Sequence, residues 1–266
     1  MVIHDAGRPP RRLPHSLRRA VVAVVAVLAV VVAPATPLAP TPAVASSHWQ
    51  DIGTSREGEA IRALLIGGAE APVRVVVLGL MHGDEPAGLR VVERLRHQEA
   101  PPGTAIWLIP SMNPDGLARG TRTNARGVDL DRNFPAQWRA QGSGTSQWSG
   151  PSASSEPETR AVMDFLTEVR PTAILSFHQP FDVVDITHPT ARRAGRLLAR
   201  WMGVPARPVG CTGPCRGTLT EWATDELGSI AITVELPDVA SRADIDRAST
   251  ATLRLARWLV DRHGGA

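Results

Sequence analysis

Apolar and polar positions follow one another along this chain in blocks. Four runs, RVVVLGL (74–80), AIWLIP (105–110), AILSF (173–177) and SIAITVEL (229–236), are apolar at successive positions, the pattern of strands buried on both faces. Segments with apolar residues at helical spacing separate and follow them: AGLRVVERLRHQ (87–98), EPETRAVMDFLTEV (156–169), THPTARRAGRLLARWM (187–202) and DIDRASTATLRLARWLVDRH (244–263). Strands covered on both faces, each followed by an amphipathic helix, predict an α/β fold with a largely parallel sheet. In such sheets ligands sit beyond the carboxyl ends of the strands.

Polar residues at those ends are few. His82 and Glu85 follow the first run in LMHGDEP (80–86), His178 follows AILSF, and Glu235 stands near the end of the fourth run. Two histidines and a glutamate make a catalytic zinc set, three protein ligands with a fourth position open. If residues 82–85 begin a helical turn, positions i and i+3 share one side, so an imidazole and a carboxylate reach one cation. Gly83 keeps the backbone between them free of a side chain. Read alone, HGDEP fits a polar turn better than a metal site, and a histidine at a strand end is more often structural than a ligand. Glu235 strengthens the metal reading, because a carboxylate in an apolar strand is costly unless it is paired or used chemically.

The N-terminus is read separately. Arginines 8, 11, 12, 18 and 19 precede the apolar run AVVAVVAVLAVVVA (20–33), and Ala43-Val44-Ala45 offers a cleavage site, as in a secretory signal peptide. Fourteen apolar residues fall short of the roughly 20 that span a bilayer. The expectation is a signal peptide over 1–45, a single catalytic domain over 46–266, export to the wall side of the cell, and no stable membrane association after cleavage. An uncleaved N-terminal anchor is the alternative.

Removing that segment changes the charge. The first 45 residues hold five arginines and one aspartate, which leaves 24 basic and 25 acidic residues after them. The high pI therefore belongs to the leader, and the remainder lacks the basic excess of a nucleic-acid binder. Cys211 and Cys215, in GCTGPCRG, are expected to close a local disulfide in an exported chain. The segment NPDGLARGTRTNARGVDLDRNFP (113–135) is too rich in Gly, Asn, Pro and Asp for a core element and reads as a long functional loop between two strands.

With these residues in place, the sequence resembles the zinc carboxypeptidase family. HGDE, NPDG followed by TRTN and GVDLDRNFP, then SFHQP and ITVELP occur in that family's order, and the likeness is nearest to its bacterial murein peptide amidase A branch. It covers about Gly53 to Trp258. The resemblance implies a three-layer α/β/α fold with a mixed, largely parallel central sheet. It implies one zinc ion per chain held by His82, Glu85 and His178. Glu235 matches the general base that deprotonates the zinc-bound water, and Arg122 the arginine that stabilises the developing oxyanion. A solvated loop arginine is the bland reading of Arg122, since Arg119, Arg126 and Arg132 lie close by.

Two departures from the family pattern bear on the substrate. The family's DLNRNF reads DLDRNF here, so Asp131 stands where an asparagine helps the next arginine, Arg132, grip a terminal carboxylate. One reading pairs Asp131 with the ammonium of meso-diaminopimelate while Arg132 holds a carboxylate; the other is a tolerated near-isostere. Tyrosine is absent from the whole chain, which points away from the digestive carboxypeptidases. Asp185, in FDVVDITH, is a further candidate for a substrate amine.

The resemblance thus implies a secreted zinc metallocarboxypeptidase that hydrolyses a C-terminal amide bond, the γ-D-glutamyl-meso-diaminopimelate bond of peptidoglycan stem peptides. A general carboxypeptidase acting on L-peptides and an N-acyl amino-acid deacylase of the succinylglutamate desuccinylase type share this chemistry. A non-catalytic wall-binding protein would have no use for both the ligand set and Glu235. No nucleic-acid partner is expected, and the sequence leaves the oligomeric state open.

Overall fold

The computed structural model describes residues 49–209 and 216–263. The expected signal peptide and the Cys211–Cys215 pairing lie outside these residues. Eight strands form one sheet: β1 (Trp49–Thr54), β2 (Ala60–Gly67), β3 (Val73–Leu78), β4 (Thr104–Ile109), β5 (Ala173–His178), β6 (Phe181–Asp185), β7 (Ala206–Arg207) and β8 (Ile230–Pro237). Their spatial order is β1-β2-β4-β3-β5-β8-β6-β7. The neighbours β4-β3-β5-β8 are parallel throughout. The outer pairs β1–β2, β2–β4 and β6–β8 are antiparallel. The mixed sheet with a parallel centre is the expected architecture.

Helices cover both faces, and the parity of the strand residues decides which helix each side chain meets. Val73, Val75 and Val77 of β3 join a core with α1 (Ala87–Leu95), α4 (Arg192–Met202) and α6 (Arg242–His263). Val76 and Leu78 join a second core with α3 (Pro157–Val169) and α5 (Leu219–Leu227). Both clusters are apolar and almost fully buried, so each face contributes the area-proportional stabilisation of a closed core. Among the described residues, no helix is long and apolar enough to cross a membrane.

The four runs read as strands and the four amphipathic segments are all present with shifted ends. The 187–202 segment is α4 preceded by a single 3-10 turn, Pro189–Ala191. The segment 113–135 corrects the reading of a loop between two strands. It contains α2 (Pro114–Arg119) and a 3-10 turn, Leu130–Arg132, and it leads from β4 into α3. Asn113 caps α2 by accepting from the Gly116 amide, Pro114 starts the helix, and Gly120 ends it at φ +62°. A proline inside the start and a left-handed glycine past the end are ordinary helix punctuation.

The same segment is anchored by carboxylates. Asn124 Nδ2 donates to Glu156 Oε2 at 2.9 Å and to Glu158 Oε2 at 3.1 Å, while its Oδ1 accepts from the Arg126 and Val128 amides at 3.1 and 3.0 Å. Glu156 and Glu158 are both fully buried, and burial raises the pKa of Glu158. Truncation of Asn124 leaves two buried carboxylates short of a donor, at a cost of about 2–4 kcal/mol. Asn124→Ala should therefore lower the thermal unfolding midpoint by several degrees, measurable by calorimetry.

Candidate active site

The strand order places a crevice where β3 turns to β4 on one side and to β5 on the other, the position at which open α/β sheets bind ligands. His82 and Glu85 lie in the turn after β3. This turn is closed by the Glu85 amide donating to the His82 carbonyl at 3.0 Å, and α1 begins only at Ala87, so the i, i+3 placement comes from one isolated turn. Gly83 is required there: a Cβ at this position would lie 2.0 Å from the Gly116 carbonyl carbon and 2.4 Å from the Leu117 nitrogen. The HGDE turn thus packs backbone to backbone on α2. Asn113 ties the two together by donating to the Met81 carbonyl at 3.0 Å.

His178 ends β5 and lies in register beside Glu235 of β8. Both point to the face covered by α3 and α5. Gln179, next to the cis Gln179–Pro180 peptide, accepts from the Ala87 amide at 2.8 Å and donates to the Pro237 and Asp238 carbonyls at 3.0 and 2.8 Å. One side chain thereby locks the start of α1 to the end of β8.

The structure brings His82, Glu85 and His178 together with one donor atom from each, all within 4.8 Å of one another. The two imidazole Nδ1 atoms stand 3.2 Å apart, and each lies 3.0 Å from Glu85 Oε2. Two nitrogens and a carboxylate oxygen converging on one point, with the cleft on the open side, fit a catalytic zinc ion. The far ring nitrogens are fixed as well: His82 Nε2 meets Asp129 Oδ1 at 3.0 Å and His178 Nε2 meets Ser176 Oγ at 3.1 Å. Such outer partners set the tautomer that turns Nδ1 toward a metal.

Asp129, which the sequence reading did not single out, joins His82 to Arg122. It is fully buried, and its second oxygen accepts from Arg122 Nε and Nη2 at 3.1 and 2.9 Å. Burial alone would raise its pKa, but His82 and Arg122 outweigh that and hold it low. Glu85 is likewise held well below the usual carboxylate range, its burial overcome by hydrogen bonds from His178 and His82. Burial lowers the basicity of His82, yet Asp129 and Glu85 prevail and raise its pKa to about 9. Asp129→Asn should weaken zinc affinity by about 10–100-fold, which competition with a chromophoric chelator would measure.

Arg122 reaches the site from the loop after α2. Its Nη1 donates to Glu85 Oε1 at 3.1 Å, and its side chain is 25% exposed along the cleft. Its neighbours are engaged elsewhere: Arg119 pairs with Glu57, Arg126 with Glu156 and Arg132 with Asp131. The cleft, about 940 Å³, is lined by all of His82, Glu85, Arg122, His178 and Glu235. Glu235 is only 8% exposed and its Oε2 is buried without a hydrogen-bond partner among the described residues. Burial raises its pKa, as befits a group poised to accept a proton.

The expected substrate residues also line this cleft, and all three already have partners within the protein. Asp131 accepts from the Leu219 amide at 3.2 Å and pairs with Arg132 at 3.1 Å. Asp185 Oδ1 accepts from the Thr187 amide and hydroxyl and from the Val209 amide, at 2.8, 2.6 and 3.0 Å. It braces its own loop.

Comparisons with known proteins agree with this geometry. The sequence profile of the zinc carboxypeptidase family matches residues 45–193. Murein peptide amidase A of Escherichia coli K12 is 30% identical over 196 residues, which cover 69% of this chain and 79% of that protein. The same enzyme of Vibrio campbellii is 31% identical over 205 residues, covering 67% and 75%. The crystal structure of murein-tripeptide amidase from Escherichia coli O157 superposes with a TM-score of 0.64 at 25% identity, covering 80% of this chain and 92% of that one. A carboxypeptidase A from Helicoverpa armigera, 21% identical with a TM-score of 0.65, covers 81% of this chain and 68% of its own and shares the fold. With the motifs, the donor set and the sheet all concordant, the chain belongs to the zinc carboxypeptidase family and is a hydrolase of that kind.

Proposed function

We propose that this protein is a secreted zinc metallocarboxypeptidase that removes the C-terminal residue of peptidoglycan stem peptides, cutting the γ-D-glutamyl-meso-diaminopimelate bond. One observation carries the chemistry: the unpartnered, buried Oε2 of Glu235 stands in the same cleft as the converging donors of His82, Glu85 and His178. The substrate reading rests on the likeness to murein peptide amidase A. Export rests on the N-terminal sequence.

Zinc held by His82, Glu85 and His178 would supply a Lewis acid and make water nucleophilic near neutral pH. Glu235 takes the proton from the attacking water and passes it to the leaving amine. A base with a raised pKa suits both transfers. Arg122, fixed by Asp129 and Glu85, retains N–H groups for the carbonyl oxygen as negative charge builds on it. Arg132, held by Asp131 and lining the same cleft, is the residue that would take the terminal carboxylate.

The test is release of diaminopimelate from L-Ala-γ-D-Glu-meso-diaminopimelate by purified, zinc-supplemented protein, beside peptides with ordinary L-residues at the C-terminus. Preferred cleavage of the γ-linked tripeptide is the expected result. Equal or better cleavage of L-peptides would make the protein a general carboxypeptidase. Cleavage confined to N-acyl amino acids would make it a deacylase.

A further inference from the structure

The cleft contains a second underused carboxylate. Glu221 lies in the first turn of α5, three residues after the N-cap Thr218, and T-x-x-E is the pattern in which the glutamate folds back onto the N-cap amide. Only half of that arrangement forms. Thr218 Oγ1 accepts from the Glu221 amide at 3.2 Å, but Glu221 Oε1 turns away and accepts from Gln137 Nε2 at 2.7 Å. The other oxygen, Oε2, is buried with no hydrogen-bond partner among the described residues. Among the described residues Glu221 makes no ion pair, although Arg216 is near enough to act on it electrostatically. Burial, reinforced by Asp225, pushes its pKa up.

An acceptor in this state lacks a donor, and a ligand entering the cleft can supply one. Asp131 does not share this deficit, because the Leu219 amide and Arg132 already satisfy it. We propose that Glu221 receives the side-chain ammonium of the substrate's C-terminal residue, so that Glu221, and not Asp131, selects a diamino acid. The proposal rests on the peptidase reading above and deepens it. An ammonium at Glu221 Oε2 makes a charge-assisted hydrogen bond, whereas an uncharged side chain leaves that oxygen buried without a donor. Arg132, which pairs with Asp131, lines the same cleft.

Binding separates this inference from the reaction itself. Calorimetric titration of the full-length zinc-loaded protein with meso-diaminopimelate and with 2-aminopimelate, which lacks the distal ammonium, should show the diamino acid bound about 10–100-fold more tightly. In Glu221→Gln that preference should vanish while 2-aminopimelate still binds. Glu221→Asp, which retracts the carboxylate, should reduce it, and Asp131→Asn should keep it. Equal affinity for the two ligands in the unaltered protein, binding of neither, or a preference that survives Glu221→Gln overturns the proposal. If the preference depends on Glu221 but the γ-linked tripeptide is not hydrolysed, the ammonium site stands and the proposed substrate falls.

Discussion

Glu235→Gln should lower hydrolysis of a competent peptide by about 10²–10⁴-fold and leave zinc content at the unaltered level. The amide has the shape of the carboxylate but cannot accept the proton that the attacking water must lose. The side chain lies in register beside His178 and is not one of the three converging donors, so the metal should be retained. Burial raises the Glu235 pKa, so on a raised-pKa base the acidic limb of the rate profile should lie above the ordinary glutamate value. That limb should disappear in the glutamine variant. Retention of more than a tenth of the activity, with zinc bound one to one, would remove Glu235 from the proton-transfer role.

Stripping the metal with a chelator should take hydrolysis to background, and stoichiometric zinc should restore it. The two imidazoles and Glu85 meet so closely that a cation among them must displace protons from the ring nitrogens. Affinity should therefore fall as pH falls. Ligand linkage predicts that zinc at 100 times its dissociation constant adds about 2.7 kcal/mol to stability, visible as a higher unfolding midpoint that the chelator abolishes. A variant lacking one donor, such as His178→Ala, should not be rescued by equimolar zinc. Full activity in exhaustively chelated protein would exclude the proposed metal chemistry.

Both expectations begin from residues legible in the sequence, and the reason is physical. His82, Glu85, His178 and Glu235 interrupt apolar strands at their ends, where a polar residue needs a purpose. The four central strands and four long helices were legible because full burial and amphipathic spacing leave strong periodic signals. The outer strands left weaker ones. β1 is mostly exposed, and β2 alternates with a break at Ala63 and Leu64, so β1 has no apolar run and that of β2 is confined to residues 63–66. α2 was hidden by the same Asn, Pro and Gly that cap it, since those residues also mark loops. Asp129, Asn124 and Gln179 escaped notice because their partners lie 47, 32 and 92 residues away in the chain, and spacing within a motif does not encode such contacts. Arg122 was singled out by resemblance alone; what distinguishes it from Arg119, Arg126 and Arg132 is the carboxylate each one reaches.

The register between β5 and β8 carries a further consequence. His178 and Glu235 face one another only because Ala173 pairs with Ile230 and every later pair follows in step. A slip of one residue in either strand reverses which face its side chains occupy, sending Glu235 or His178 into the apolar core beneath α1, α4 and α6. Catalytic competence is therefore a property of the completed sheet, and activity reports on folding of the whole molecule. In denaturant, loss of hydrolysis should coincide with the cooperative unfolding transition, with no partly folded form turning over substrate.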